Sequence, residues 1–275
     1  MKKFLEKIPN TLLLGIGAIL IFIPMYLTLV NSFKDNQQIT QHFFSLPNPL
    51  TLDNFAKLFK EGITVFYGNS LLITIVSLLL IIIFVPMAAF SIARNMSKKM
   101  IFSILYGLMI IGIFIPFQVL MIPVTQQMGQ MGLHNTLGLI ILYITFAIPQ
   151  TLFLYVGYIK LSIPVSLDEA ASIDGAGKVK TYFSIMFPMM KPMHATAIIL
   201  NGLWIWNDFM LPLLMLNDND KAWTFPLFQY NFQGTYSTDF GPSFAGYFVG
   251  LVSITIVYLF FQKSIISGMS NGAVK

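Results

Sequence analysis

The 275-residue chain contains no cysteine and very little charge. The absence of cysteine excludes disulfides, thiolate metal sites and cysteine nucleophiles. Only 10% of the residues are Asp, Glu, Lys or Arg, less than half the share in an average soluble domain, whereas 56% are hydrophobic and the mean hydropathy is +0.75. A soluble protein would have to hide several uncharged runs of more than about 18 residues in its core. We therefore expect an integral membrane protein.

The residue clusters that a membrane enzyme would need are also missing. The three histidines are scattered at His42, His134 and His194, and no apolar segment carries a His-x-x-x-His pair or paired carboxylates. We therefore expect no enzyme activity, no catalytic residues and no metal site. The formal net charge of +5 comes from basic residues spread along the chain, so we do not expect nucleic acid as a partner.

Six apolar segments are long enough to cross a membrane, and they predict an all-α, polytopic fold. They form a six-helix transmembrane domain at residues 11–266, between a short N-terminus at 1–10 and a C-terminal tail at 267–275. The predicted helices cover residues 11–30, 69–93, 100–124, 136–159, 192–216 and 241–261.

Five of the predicted helices contain a proline inside them or near one end. Each proline removes a backbone hydrogen bond and favours a kink, which suits helices that line a path, although proline is also common in membrane helices. The fourth helix is predicted to break at Pro149. The five prolines are Pro24, Pro86, Pro116, Pro149 and Pro212.

Basic residues are distributed unevenly between the two sides that six spans define. Twelve of the sixteen Lys and Arg residues fall on the side of the termini, and only Lys34, Lys57, Lys60 and Lys221 fall on the other. Since an excess of basic residues marks the cytoplasmic face, we expect both termini and the connection 160–191 to be cytoplasmic in a multi-pass protein of the cell membrane. The outer loops are then residues 31–68, 125–135 and 217–240.

The cytoplasmic connection carries its own signals for two short helices. Ser166 and Glu169 have the spacing of a capping box, in which the serine hydroxyl accepts a hydrogen bond from the Glu169 N–H. Gly175 and Gly177 are expected to end this first helix, because glycine tolerates the left-handed backbone of a helix C-terminus. A second helix is predicted over residues 178–188.

The first of these helices has one face made largely of small residues. Leu167, Ala170, Ala171 and Asp174 recur at helical spacing, and the two alanines make that face nearly flat. A flat face lets another backbone approach closely, so the pattern favours a docking surface for a second protein. A solvated loop that merely links two spans is the alternative.

This stretch resembles a known signature. Glu169-Ala170-Ala171, then Gly175, Ile185 and Phe187-Pro188, have the order and spacing of the cytoplasmic signature of permease subunits in binding-protein-dependent ATP-driven (ABC) importers. Leucine usually stands where Phe187 is. Further stretches are similar to the smaller, maltose-type permease of sugar importers: Asn69-Ser70-Leu71, Phe90-Ser91-Ile92-Ala93-Arg94, Ile173-Asp174-Gly175-Ala176, Trp206-Asn207-Asp208-Phe209 and Gly272-Ala273-Val274-Lys275.

The resemblance implies a permease that forms part of the pathway for a carbohydrate, an oligosaccharide, and works by alternating access. It implies a second permease as heterodimer partner, two ATPase subunits that bind ATP and Mg, an extracytoplasmic sugar-binding protein, and surrounding membrane lipid. The implied ATPase-coupling residues are Glu169, Ala170, Ala171, Asp174, Gly175, Ala176, Ile185 and Pro188. The implied tail contacts with the ATPase are Gly272, Ala273, Val274 and Lys275.

The chain is not expected to hydrolyse ATP itself or to bind a cofactor. The run from Gly175 to Lys178 lacks two positions of a phosphate-binding loop, because Ser172 replaces its first glycine and Val179 its final Ser or Thr. ATP hydrolysis must therefore come from a partner. A stand-alone secondary transporter or channel is the alternative function, but a proton-driven carrier places ionisable residues inside its helices, and the predicted helices offer only His194 and Asp208.

The outer half of the predicted fifth helix carries a cluster of polar and aromatic residues. Such residues suit a sugar, whose C–H face stacks on aromatic rings while its hydroxyls form hydrogen bonds. A structural cluster, in which Asp208 caps a helix break before Pro212, explains the same residues, and we favour it. The aromatic loop 217–240 is either a surface for the binding protein or an interfacial anchor. The candidate substrate-pathway residues are Asn201, Trp204, Trp206, Asn207 and Asp208.

Overall fold

The computed structural model describes residues 7–232 and 239–273. Every regular element in these two ranges is a helix, which confirms the predicted all-α fold. A π-helical turn lies at Tyr182–Met186, and a short 3₁₀ turn lies at Asp220–Ala222. The α-helices are α1 (Lys7–Ser32), α2 (Asn36–Gln41), α3 (Asp53–Lys60), α4 (Ile63–Asn95), α5 (Met100–Ile113), α6 (Phe117–Gln130), α7 (Thr136–Ser162), α8 (Ser166–Ile173), α9 (Lys178–Met189), α10 (Lys191–Asn207), α11 (Met210–Leu216), α12 (Phe225–Tyr230) and α13 (Phe240–Ala273).

Four helices, α1, α4, α7 and α13, are individually long and apolar enough to cross a membrane. Two consecutive helix pairs also pass as spans when each pair is taken together. The pair α5–α6 bends by 104° and the pair α9–α10 bends by 70°. The chain is therefore a multi-pass membrane protein with six spans if each bent pair counts as one.

The third and fifth predicted helices are not continuous. The third is divided at Phe114–Pro116, where Pro116 cannot donate a backbone hydrogen bond and its ring pushes the preceding residue out of helical conformation. The predicted fifth helix ends at Asn207 and resumes at Met210 as α11. Predicting each as one helix was wrong, because an apolar run shows only that a segment is buried in lipid or protein.

The predicted break at Pro149 was also wrong. Helices α1, α4 and α7 continue through Pro24, Pro86 and Pro149. The ring of Pro149 lies against Gly112 of α5, where an added Cβ would stand 3.3 Å from the proline Cγ. Gly112 has no side chain, so α5 leaves room for the proline ring at this position.

The chain divides into two compact units. The larger unit, Phe66–Pro226 and Phe261–Lys275, contains an apolar core built from α4, α7, α9, α10 and α11. The centre of this core includes two tyrosines of α7, Tyr143 and Tyr155, that are both 0% exposed. Because these tyrosine hydroxyls are buried, each needs a hydrogen-bond partner inside the protein.

The smaller unit, Met1–Val65 and Leu227–Phe260, contains a fully buried lysine. The Nζ of Lys34 donates to Asn31 Oδ1 at 3.0 Å and to the carbonyl oxygens of His42 and Phe43 at 2.8 and 3.2 Å. Burial lowers the pKa of Lys34 from its ordinary value. Three acceptors match the three N–H groups of an ammonium, so this charge is held with no carboxylate contact among the described residues.

The start of α7 gives a direct test of the packing. The side chain of Asn135 caps the helix by accepting the Gly138 N–H at 3.1 Å, and a Cβ at Gly138 would lie 1.9 Å from the carbonyl oxygen of Leu133. We expect Gly138→Ala to destabilise the protein by about 1–3 kcal/mol, measured as a lower Tm in detergent. Gly157→Ala in the same helix is the control, because among the described residues no atom outside the adjoining backbone of α7 lies within 4 Å of its added Cβ. Equal Tm values for the two variants would contradict this packing.

Candidate functional site

The helix α8 begins at the predicted residue but without the predicted capping box. Val165, the residue before it, already has helical backbone angles (φ −66°, ψ −28°), and no side chain caps the helix. The Asp168 N–H donates to the carbonyl of Val165 at 2.9 Å. The capping-box prediction was wrong because Ser166 lies within the first turn, whereas a capping serine needs an extended backbone in front of the helix.

The other end of α8 has the predicted glycine turn. Gly175 has φ +73°, a left-handed conformation that favours glycine. The Ala176 N–H donates to the Ala171 carbonyl at 2.9 Å, and the Gly175 N–H donates to the Ser172 carbonyl at 3.1 Å. These are the two hydrogen bonds of a Schellman motif. Gly177 does not share this role, because it has an extended backbone (φ −68°, ψ 160°) and precedes α9.

The predicted alanine face is only partly exposed. Ala171 is 3% exposed, whereas Ala170 and Asp174 are exposed and Leu167 is half-buried. Placing Ala171 on an exposed face was wrong, because helical spacing shows which residues share a face but not which of them the rest of the chain covers. Large apolar side chains are exposed in and beside α8 and α9. They are Val165 (54%), Ile173 (86%), Val179 (72%) and Phe183 (50%).

The eight predicted coupling residues therefore separate into two groups. Ala171 is buried, while Ala176 and Ile185 are half-buried, with Ile185 packed against the core of the larger unit. The remaining members lie on the surface and are available to a partner. They are Glu169, Ala170, Asp174, Gly175 and Pro188.

An ion pair that the sequence reasoning missed ties α8 to the end of α4. Arg94 Nε lies 2.8 Å from Asp168 Oδ2, and Arg94 Nη2 donates to the Pro164 carbonyl at 3.3 Å. The guanidinium also lies 5.7 Å from the ring centre of Phe90. These contacts fix how α8 is held. The only sequence signal was a single arginine at the end of an apolar helix, and nothing in the sequence linked it to Asp168.

The candidate substrate-pathway residues contact neighbours on α4, α7 and α10 of the larger unit. The Asn201 amide donates to Thr151 Oγ1 at 3.0 Å and to the Ala197 carbonyl at 2.8 Å. The rings of Trp206 and Tyr67 pack edge-to-face, with their centroids 5.2 Å apart. Trp204 and Asn207 are the exposed members of the set.

Asp208 lies at the break between α10 and α11. It accepts a hydrogen bond from the Tyr143 hydroxyl at 3.0 Å and from the Met210 N–H at 3.1 Å. Trp204 packs edge-to-face on Tyr143, with ring centroids 5.4 Å apart. This geometry is the one expected for the structural interpretation, in which Asp208 caps the start of α11.

The C-terminal residues are the predicted tail contacts with the ATPase. α13 continues through Gly272 and Ala273, whereas Val274 and Lys275 lie outside the described residues. Within residues 7–232 and 239–273, no group of three or more His, Asp or Glu side chains is placed to hold a metal ion.

These features together define a multi-pass transport permease: long apolar helices, two bent spans, and an exposed helix–turn–helix between two spans. More particularly, residues 85–270 match the family of the binding-protein-dependent transport system inner membrane component, and the chain belongs to this family. It is a family of transport permeases and not of enzymes. Membership implies that the chain works with partner subunits.

Relatives and one solved structure agree with this assignment over almost the whole chain. The chain is 62% identical over 263 residues to the multiple sugar-binding transport system permease protein MsmG of Streptococcus mutans, covering 96% of this chain and 95% of the relative. It is 35% identical to the probable starch degradation products transport system permease protein AmyC of Thermoanaerobacterium thermosulfurigenes, covering 95% of each. A bacterial ABC transporter involved in alginate import shares the fold, with a TM-score of 0.82 at 21% identity over 95% of this chain and 97% of that chain.

The Arg94–Asp168 ion pair is expected to stabilise α8 against local unfolding. We expect Arg94→Met to increase amide hydrogen exchange in α8 a fewfold, because a partly exposed ion pair contributes up to about 1 kcal/mol. Asp168→Asn should have the same effect, and the double variant should add little to either change. Lys98→Met, an exposed residue in the next turn, is the control. Unchanged exchange in both single variants would contradict the proposed tie.

Proposed function

We propose that this chain is one of two permease subunits in an ATP-driven importer of oligosaccharides, corresponding to the smaller, maltose-type permease. The observation that carries the proposal is the 62% identity to a permease named for multiple sugars, over nearly the full length of both chains. A second relative, 35% identical, is named as the melibiose, raffinose and stachyose import permease MelC of Bacillus subtilis. The second permease would complete the path, and an extracytoplasmic binding protein would deliver the sugar.

The surface of α8 and α9 is the proposed contact with an ATPase subunit. Contiguous exposed apolar side chains mark a site of interaction with another protein. Here four exposed apolar side chains lie in and beside α8 and α9: Val165, Ile173, Val179 and Phe183. The contact surface therefore differs from the one that the alanine spacing predicted, because Ala171 is buried.

The proposed orientation places this surface and both chain ends in the cytoplasm. The excess of Lys and Arg on that side supports it. ATP and Mg would be bound by the partner ATPase subunits, since residues 172–179 depart from a phosphate-binding loop at two positions. We further propose that the tail residues Gly272, Ala273, Val274 and Lys275 reach the ATPase pair.

The geometry limits what the α10 cluster contributes to sugar binding. Asn201 and Asp208 already have hydrogen-bond partners inside the protein, so binding a hydroxyl would require them to exchange partners. Trp204 and Asn207 are the exposed candidates for contact with the sugar. We therefore propose that the second permease makes most of the sugar contacts.

The function is tested by reconstitution in proteoliposomes with the second permease, the ATPase and the binding protein. We expect ATP-dependent accumulation of a neutral oligosaccharide such as raffinose, with no effect of a protonophore. The physical reason is that the free energy comes from nucleotide and not from an ion gradient. Uptake that persists without the ATPase and collapses with the protonophore would instead establish a secondary transporter.

The contact surface is tested with a charge at its most exposed apolar residue. We expect Ile173→Glu to leave insertion and folding intact, because the side chain is 86% exposed, and to reduce uptake at least tenfold by weakening ATPase docking. Ser97→Glu, exposed in the turn between α4 and α5, is the control. Wild-type uptake and co-purification of the ATPase with Ile173→Glu would exclude this surface.

A further inference from the structure

The bend between α9 and α10 has lost backbone hydrogen bonds. Pro188 cannot donate to the carbonyl of Ser184, and Pro192 cannot donate to the carbonyl of Pro188. The turn before the bend is π-helical, at Tyr182–Met186. A helix with these interruptions would flex at Met190 unless other groups fixed the angle, because its own hydrogen-bond ladder is incomplete.

Side chains add hydrogen bonds at the bend, to other carbonyls than those of Ser184 and Pro188. His194 Nε2 lies 2.9 Å from the carbonyl oxygen of Phe187, and His194 Nδ1 lies 2.6 Å from the hydroxyl of Tyr155. A neutral ring satisfies both contacts when Nε2–H donates to the carbonyl and Nδ1 accepts from the tyrosine. A second tyrosine of α7, Tyr158, donates to the carbonyl of Met189 at 3.2 Å. Both sides of the bend are therefore tied to α7.

Ring packing continues this tie toward α8. The His194 and Phe187 rings have centroids 4.3 Å apart, and Phe187 and Tyr182 have centroids 6.0 Å apart. Tyr182 then packs on Phe90 at 5.6 Å, and Phe90 lies below the guanidinium of Arg94. A continuous series of contacts thus joins the Arg94–Asp168 ion pair to the bend. Met186 and Met190, which lie at the bend, are both 0% exposed.

We propose that His194 and Tyr155 are positioning residues that make the α9–α10 bend rigid, so that a displacement of α8 and α9 by the ATPase turns α10 in the membrane. This inference rests on the proposed function. With the tie intact, α9 and α10 move as one bent lever. Without it, the proline-weakened bend absorbs the displacement, and ATP is hydrolysed with less sugar moved.

The chemistry of the tie suggests a set of variants that separates its hydrogen bonds from general packing. Tyr155→Phe removes one hydroxyl and leaves the His194 Nδ1 without its donor. His194→Leu removes both hydrogen bonds, whereas His194→Gln retains one donor and one acceptor. Tyr182→Phe is the matched control, because it also removes a buried tyrosine hydroxyl, but one that has no hydrogen-bond partner within the described part of the chain.

The first measurement is the number of ATP molecules hydrolysed per sugar taken up by equal amounts of assembled complex. We expect this ratio to rise severalfold for Tyr155→Phe and His194→Leu, to stay nearer the wild-type value for His194→Gln, and to be unchanged for Tyr182→Phe. A merely structural role would lower the amount of complex and leave the ratio alone. Wild-type ratios in both Tyr155→Phe and His194→Leu would overturn the proposal.

The second measurement reports the bend itself. Spin labels are attached at Ser184→Cys and Leu203→Cys, which are both exposed and lie on opposite sides of the bend. Because the chain has no cysteine of its own, these are its only labelled positions. We expect one narrow distance that ATP does not change, and a broad distribution in His194→Leu. A broad wild-type distribution would overturn the proposal. If the proposed function is wrong, the unaltered complex will show no ATP-dependent uptake. The distance between the spin labels still tests the rigidity of the bend in that case.

Discussion

Every backbone N–H and C=O within a membrane must be paired inside the protein, and the rest of this structure depends on that constraint. Polar side chains bond to backbone groups in the α9–α10 region, between α10 and α11, and at the start of α7. His194 serves the Phe187 carbonyl, Asp208 serves the Met210 N–H, and Asn135 serves the Gly138 N–H. Some of the few polar residues in this apolar chain are thus used where a helix is interrupted or begins.

This use of polar groups changes how the outer half of α10 is interpreted. Aromatic rings beside amides and a carboxylate are typical of sugar sites, and the sequence contains that combination at residues 201–208. In the structure the same groups bond to Thr151 and Tyr143 of α7. Because an unpaired buried polar group is costly, a side chain that already completes a helix break is poorly placed to exchange partners with a passing solute.

The predictable parts of the fold were those that local sequence determines. Long apolar runs located the helices, and Gly175 marked the turn because its left-handed backbone is a local requirement. Two features were not predictable because they depend on distant partners. Asp168 of α8 pairs with Arg94, which is distant in the sequence, and Pro149 of α7 lies against Gly112 of another helix. Proline spacing alone does not distinguish Pro149 from Pro116, where the chain does break.

The exposed apolar residues around α8 and α9 also have a consequence for the life of the subunit in the cell. Ile173 and Val179 are 86% and 72% exposed at a surface that lies outside the lipid in the proposed arrangement. A newly inserted chain that has not met its partner presents these side chains to chaperones and proteases, which recognise such surfaces. In the proposed arrangement, the same residues that contact the ATPase would therefore identify an unassembled copy for removal.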